Sequence, residues 1–234
     1  MLVNWKIEYC SRIPEGKQSP DYYNAGKPYW FFRFFSKDTQ VDVVDISSVS
    51  WLERFEREKI RFYIWQTLRV IPRLNRYDIV VSHGMQSGIV LCLWRRLFGK
   101  GRYRHIVFDI GAFNSAKETG KALKLMQFAS KSIDGVIYHT PAQQHYYEQC
   151  HPWLLGKAWF VTFGTDTEYF TAGSEDNIEN YIVCIGYNKR DWKTLLDAYR
   201  MVDGKTELRM IGNNKLKADD NRIRLMSHVT IDEM

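Results

Sequence analysis

The sequence is poor in the features that settle a protein's class at a glance. Its four cysteines, Cys10, Cys92, Cys150 and Cys184, stand far apart in 234 residues without any C-x-x-C spacing. Neither a disulfide framework nor a zinc ribbon is written into them. Cys92 and Cys184 lie inside apolar runs, where small thiols are commonly buried. The N-terminus, MLVNWKIEYC, lacks the basic segment and apolar stretch of a secretory signal. The longest stretch without Asp, Glu, Lys or Arg, IVVSHGMQSGIVLCLW (79–94), is interrupted by Ser, His, Gly and Gln, and it falls short of the roughly 20 apolar residues of a spanning helix. A reduced, cytoplasmic protein is the expectation. There is no G-x-G-x-x-G after the first strand signal and no P-loop. No RNA-binding signature or recognition-helix motif occurs, so nucleic acid is not expected as a partner.

What the chain does have is apolar and aromatic material, 45% and 15% of its residues, enough to build real cores. The net charge of +6 suits phosphates, nucleotides or an anionic membrane face, without choosing among them.

Short β-branched runs recur at intervals that leave room for helices: NWKIEY (4–9), VDVVDI (41–46), DIVVS (78–82), HIVFDI (105–110), GVIYH (135–139) and AWFVT (158–162). They read as parallel strands buried on both faces. Helix patterns lie at 51–71, 86–98, 115–132 and in TPAQQHYYEQC, where Thr140 can cap and Pro141 can take the first helical position. The alternation predicts a doubly wound, Rossmann-like α/β domain over 1–170. The small, acidic stretch TAGSEDNIEN predicts a linker over 171–180. A second α/β unit then opens over 181–234: YIVCIG (181–186), a helix starting near Asp191, TELRMI (206–211), a short helix near 214–225 and HVTI (228–231). A self-standing α/β domain usually wants on the order of 100 residues or more. This reads either as a fragment of a longer protein or as a remnant domain supported by the first, with the fragment favoured.

In an open parallel sheet, ligands gather beyond the carboxyl ends of the strands, where helix N-termini converge. That edge would collect SHG (82–84), DIGAFN (109–114), HTP (139–141), FGTD (163–166) and the loop 11–27, whose Gly16-Lys17 and Gly26-Lys27 pairs could approach a phosphate. His83 reads as a contact for a sugar hydroxyl or phosphate, or as a loop histidine bonded to backbone. Asp109 reads as a carboxylate orienting an acceptor hydroxyl, or as a turn cap. His139 reads as a satisfied core histidine. In the second unit a buried strand would end at Gly186 before Asn188, Lys189 and Arg190, with Asp191 as helix cap. Lys193 then falls in the first turn, where a lysine opposes the helix dipole unless an anion such as a diphosphate sits there. No metal cluster is visible.

The stretches WFVTFGTDTEYF and YIVCIGYNKRDWKTLLDAYRMVDGKTELRMIG, with KSIDGVIYHTPAQQHYYEQ before them, resemble the domain junction and second-domain opening of retaining glycosyltransferases of family 4. The resemblance covers 78–234 and implies a GT-B fold, two facing Rossmann-like domains. It implies transfer of a sugar from a nucleotide-diphosphate sugar to the hydroxyl of a saccharide or lipid-linked acceptor, with retention, in polysaccharide or glycolipid synthesis. The donor diphosphate would be held by Arg190 and Lys193 beside Gly186 and Asn188, and no further cofactor is implied. Three family features differ: Tyr187 stands where an arginine follows the strand glycine, Asp109 and Gly111 occupy the region of a histidine, and the paired glutamates that bind the donor would fall beyond residue 234. These departures keep a second reading open, a degenerate GT-B-like binding or partner module without turnover.

The segment 51–76 carries seven Lys/Arg against three Glu, interleaved with Trp, Phe, Tyr, Ile and Leu. One reading is a peripheral surface that lies on anionic lipid at the inner face of the membrane. The other, favoured by apolar residues at 51, 52, 55, 62, 65 and 68, is a helix packed on the core. RRLFGKGRYRH (95–105) adds a second anion-attracting face.

Overall fold

The computed structural model describes residues 1–13, 15, 20–111, 118–164, 167, 180–186, 190–202, 204–212 and 220–226. The chain divides into two compact units, Met1–Gly164 and Thr165–Met234. Each contains a parallel sheet flanked by helices, an α/β architecture of the Rossmann-like kind. The expected linker, 171–180, lies outside the described residues apart from Asn180.

In the first unit, β3 (Ile79–His83), β4 (Arg104–Asp109), β5 (Gly135–Tyr138) and β6 (Ala158–Phe160) lie side by side in that order, all parallel. The two earliest expected strands are shorter and shifted. Leu2 bridges both Val44 and Ser82, and backbone bonds from Val3 N to Val44 O (3.1 Å) and His83 N to Leu2 O (2.8 Å) extend the sheet by two rows. Residues 8–9 instead form β1 (Glu8–Tyr9), paired with β2 (Tyr22–Tyr23) in a separate two-stranded sheet. The main sheet therefore begins at the very start of the chain.

The strands are not buried on both faces. Register puts Val80, Ser82, His105, Val107, Asp109, Val136 and Tyr138 on one face, and all seven are buried. That face meets α3 (Met85–Phe98), α4 (Lys121–Ser130) and α5 (Pro141–Cys150), which add Ile89, Cys92, Ala129 and Tyr147 to the core. The opposite face, with Val81, Ile106, Phe108 and Ile137, is half-buried, and Ile79 and Trp159 on it are exposed. The Trp159 ring lies over Gly135, where a Cβ would come within 2.6 Å of it.

The polar side chains that the strands bury are hydrogen-bonded. His105 bonds Ser82 Oγ at 2.9 Å and faces Cys92 Sγ at 3.6 Å. Burial, reinforced by the Arg95 charge, holds its pKa down to about 3, so it sits neutral in the core. Arg95, also buried, donates to Ser132 O and to Asp134 Oδ2, both at 2.6 Å. A buried guanidinium is tolerated because a carboxylate and carbonyls meet it. All four cysteines are free.

Local capping follows the sequence closely. Thr140 and Gln143 form a capping box with Pro141 in the first turn of α5. By contrast, the single helix expected over 51–71 is broken: α1 (Ser50–Phe55) runs into a π-helical turn (Glu56–Ile60), and Arg61 adopts φ 58° before α2 (Ile64–Val70). The core reading of this segment is overturned for Trp51, Phe55, Trp65 and Leu68, which are exposed. Three of the buried positions on this segment, Glu56, Gln66 and Thr67, are polar instead. Gln66 Nε2 donates to Val3 O and Val44 O, both at 2.7 Å, and the Glu56 carboxylate accepts from Trp65 N at 2.7 Å. Backbone carbonyls at the short outer rows of the sheet need donors, and Gln66 supplies them by turning its face inward.

In the second unit, β7 (Tyr181–Ile185), β8 (Glu207–Ile211) and β9 (Ile223–Met226) are parallel in that order. Helix α6 (Trp192–Arg200) packs Trp192, Leu196 and Tyr199 on Leu208, Met210 and Ile223. The third strand thus falls at 223–226, within the span expected to be helical, because Ile223 reaches that core. The HVTI segment lies outside the described residues. β7, expected to be buried, is exposed along most of its length. No helix among the described residues is long and apolar enough to cross a membrane.

Candidate functional site

The carboxyl edge of the first sheet brings together residues from six segments. β3 ends at His83, and Gly84 (φ 91°) turns the chain into α3. The His83 ring is edge-on to Trp5, with centroids 4.7 Å apart, and to Phe31 at 5.3 Å. Its Nδ1 lies 3.2 Å from Asn4 Oδ1. With that oxygen as acceptor, Nδ1 carries the ring hydrogen and Nε2 presents its lone pair.

A row of near-parallel rings continues along the edge. His83 and Phe108 stack at 6.2 Å, Phe108 and His139 at 6.3 Å, and His139 and Phe163 at 4.1 Å. Register explains the row. His83 pairs with Phe108, and Phe108 with Ile137, two residues before His139 on the same face. Ile137 in turn pairs with Trp159, so each later ring stands farther out along the edge. His139 is therefore half-exposed at the edge rather than in the core, held there as its Nδ1 donates to Val161 O at 2.7 Å.

Burial, with repulsion from His139, lowers the His83 pKa to about 4. At neutral pH the ring is uncharged. It can accept a hydrogen bond from a hydroxyl but brings no charge to a phosphate, and it is too weak a base to take a proton efficiently near pH 7.

Next to it, Gln86 Oε1 is buried with no hydrogen-bond partner among the described residues. A Cβ placed on Gly84 would meet Gln86 Oε1 at 2.7 Å, Asn4 Nδ2 at 3.3 Å and Ile110 Cδ1 at 3.5 Å. The absent side chain at residue 84 is what lets these groups converge. A buried amide oxygen without a donor is costly in water-free surroundings, and it matches a ligand hydroxyl or amine. Sequence reading missed Asn4, Gln86, Phe31 and Phe108. The Gly after His83 was the one local signal for close approach.

Asp109 is placed differently. It is fully buried, with Oδ1 accepting from Gly111 N at 2.9 Å and Oδ2 from the Tyr147 hydroxyl at 2.5 Å. Its carbonyl oxygen accepts from Gln143 Nε2 at 2.7 Å. The geometry is that of a cap tying β4 to α5. Burial and the neighbouring Asp109 charge push the Tyr147 phenol far above its ordinary range, so it stays a donor. Gly16 and Lys17 lie outside the described residues. At its other end the same loop is held to the edge, as Trp5 Nε1 donates to Pro20 O at 3.0 Å.

In the second unit, Gly186 N donates to Ile211 O at 3.0 Å, extending β7 by one bond. The Arg190 side chain folds back over Gly186 so closely that a Cβ there would collide with it. Asp191 caps α6, accepting from Thr194 N at 3.1 Å and Thr194 Oγ1 at 2.8 Å. Lys193 does not reach toward the helix start. It pairs with Asp197, one turn on, at 2.6 Å, and Asp197 also meets Arg200 at 3.0 Å. That hydrogen bond and charge raise the Lys193 pKa. Its first-turn position is thereby explained without a bound anion. Asn188 lies outside the described residues.

Among the described residues no three His, Cys, Asp or Glu side chains converge as a metal ion would require. No protein-family model matches the chain, and no curated protein matches it.

Proposed function

We propose that the chain belongs to a retaining glycosyltransferase of the GT-B type, moving a sugar from a nucleotide-diphosphate sugar to an acceptor hydroxyl. The observation that carries this reading is the polar cluster at the carboxyl edge of β3, where neutral His83 and the unpartnered Gln86 Oε1 both suit a hydroxyl. The exposed rings of the row beside it give a flat surface of the kind on which sugar rings pack. Gly186 and Arg190 at the start of the second unit would receive the donor diphosphate. In the transfer, the acceptor oxygen bonds the anomeric carbon as the bond to the diphosphate breaks. The diphosphate takes that electron pair and the acceptor's proton, because His83 is too weak a base to compete. Saccharide and lipid-linked acceptors both fit this chemistry.

The pairing of Lys193 with Asp197 favours a second reading, a binding module without turnover, since it leaves Arg190 as the one candidate phosphate cation at the start of α6 among the described residues. Calorimetry with a panel of nucleotide-diphosphate sugars tests both. The transferase reading expects heat with at least one donor, lowered about tenfold or more in affinity by Arg190→Ala. Absence of heat with every donor would overturn it, and donor binding without product in an acceptor assay would assign the module.

A further inference from the structure

The broken helix at 50–70 has its amphipathic pattern inside out. Its buried residues are Glu56, Gln66, Thr67 and Val70, while Trp51 is 72% exposed, Phe55 49%, Trp65 43% and Leu68 46%. Trp51 and Phe55 are four residues apart on α1, and Trp65 and Leu68 three apart on α2, so each pair shares a helix face. The bond from Trp65 N to Glu56 holds the backbones of Phe55 and Trp65 within one side chain's reach. Rolling the helices over is not a cheap alternative, because Gln66 and Glu56 would forfeit buried hydrogen bonds. Large apolar groups fixed outward in this way mark an interaction surface.

Charge selects the occupant. Arg54, Lys59 and Arg61, in and beside the two helices, are exposed and enter no salt bridge among the described residues, whereas Glu53 is engaged by Lys6 at 2.9 Å and faces Arg57 at 3.7 Å. A second copy of the chain would bring the same uncompensated positive groups against one another. An anionic bilayer instead takes basic groups at its headgroups and tryptophan at the water interface. We propose that the corner formed by α1 and α2 docks on an anionic lipid surface, inserting Trp51, Phe55, Trp65 and Leu68 at the headgroup boundary.

The inference stands apart from sugar transfer, and its test needs no activity. The whole chain is sedimented with vesicles of phosphatidylcholine alone or mixed with phosphatidylglycerol. Binding is expected to the anionic vesicles, reversed in part by about 1 M salt, where the Debye length falls to about 3 Å. The double variant Trp51→Glu/Phe55→Glu should lower partitioning about tenfold or more. Arg54→Glu/Lys59→Glu should remove the preference for anionic over neutral vesicles. Circular dichroism and a urea midpoint confirm that each variant folds. Failure of the unaltered chain to bind anionic vesicles at low salt, or equal binding by folded variants, overturns the proposal. So does a concentration-dependent dimer that the Trp51/Phe55 variant abolishes without any vesicle binding, which would give the face to a second copy.

Discussion

His83 Nδ1 lies 3.2 Å from Asn4 Oδ1, a contact across two neighbouring parallel rows at their shared carboxyl edge that places the ring hydrogen on Nδ1. If Nε2 receives an acceptor hydroxyl, His83→Ala should raise the acceptor KM about 2- to 10-fold, the worth of one hydrogen bond, with His83→Gln restoring part of it. Asn4→Ala should act in the same direction by freeing the ring. Steady-state kinetics across pH 5 to 8 should show no ionisation from His83, since its pKa lies near 4.

Gly84 and Gly99 both adopt positive φ, 91° and 96°, but a Cβ at Gly99 meets nothing within 4 Å. Alanine at either position should cost about 1–2 kcal/mol of unfolding free energy from backbone strain. Only Gly84→Ala should also displace Gln86 and Asn4, read as a shift of the His83 imidazole resonances in NMR. Unmoved resonances would show that the cluster does not depend on the missing side chain.

The hydrogen bond from Tyr147 to Asp109 predicts strong coupling between the two positions. Asp109→Asn leaves a buried site with changed donors and should cost about 1–3 kcal/mol, and Tyr147→Phe about 1 kcal/mol or more, because a carboxylate loses its donor. A double-mutant cycle by urea unfolding should return a coupling of about 1 kcal/mol or more. Simple additivity would contradict the cap.

Acid stability should be governed partly by His105. Its folded pKa, about 3, lies below the ordinary value near 6.5, so between these the unfolded state binds the proton and the folded state does not. Stability is full above about pH 6.5 and is lost as pH falls toward 3, by on the order of 3 kcal/mol for a group this deeply buried. His105→Gln should flatten the pH dependence of the urea midpoint over that window. A slope equal to that of the unaltered chain would place the effect elsewhere.

Much of the fold was legible because its signals are local. Four of the six expected first-unit strands appear within two residues of their expected bounds, since β-branched runs between turn residues have few alternatives. Thr140 and Asp191 cap as expected because a cap bonds groups two or three residues away. The site was less legible. The glycine after β3 stood out from its strand end, but Asn4, Gln86 and Phe31 carry no signal in their own neighbourhoods. Nor could the first-turn position of Lys193 distinguish an awaited phosphate from a partner at Asp197.

The sequence by itself determined an α/β chain with parallel strands and the starts of α3, α5 and α6, because each follows from residue type at short spacing. Tertiary structure alone decided which face of 50–70 turns inward and how the rings of His83, Phe108, His139 and Phe163 line up. The first outcome depends on the carbonyls of Val3 and Val44, to both of which Gln66 donates. The second depends on the register of four strands spread over residues 79–160. Both are satisfied by partners distant in sequence, and no pattern read along the chain encodes which partner arrives.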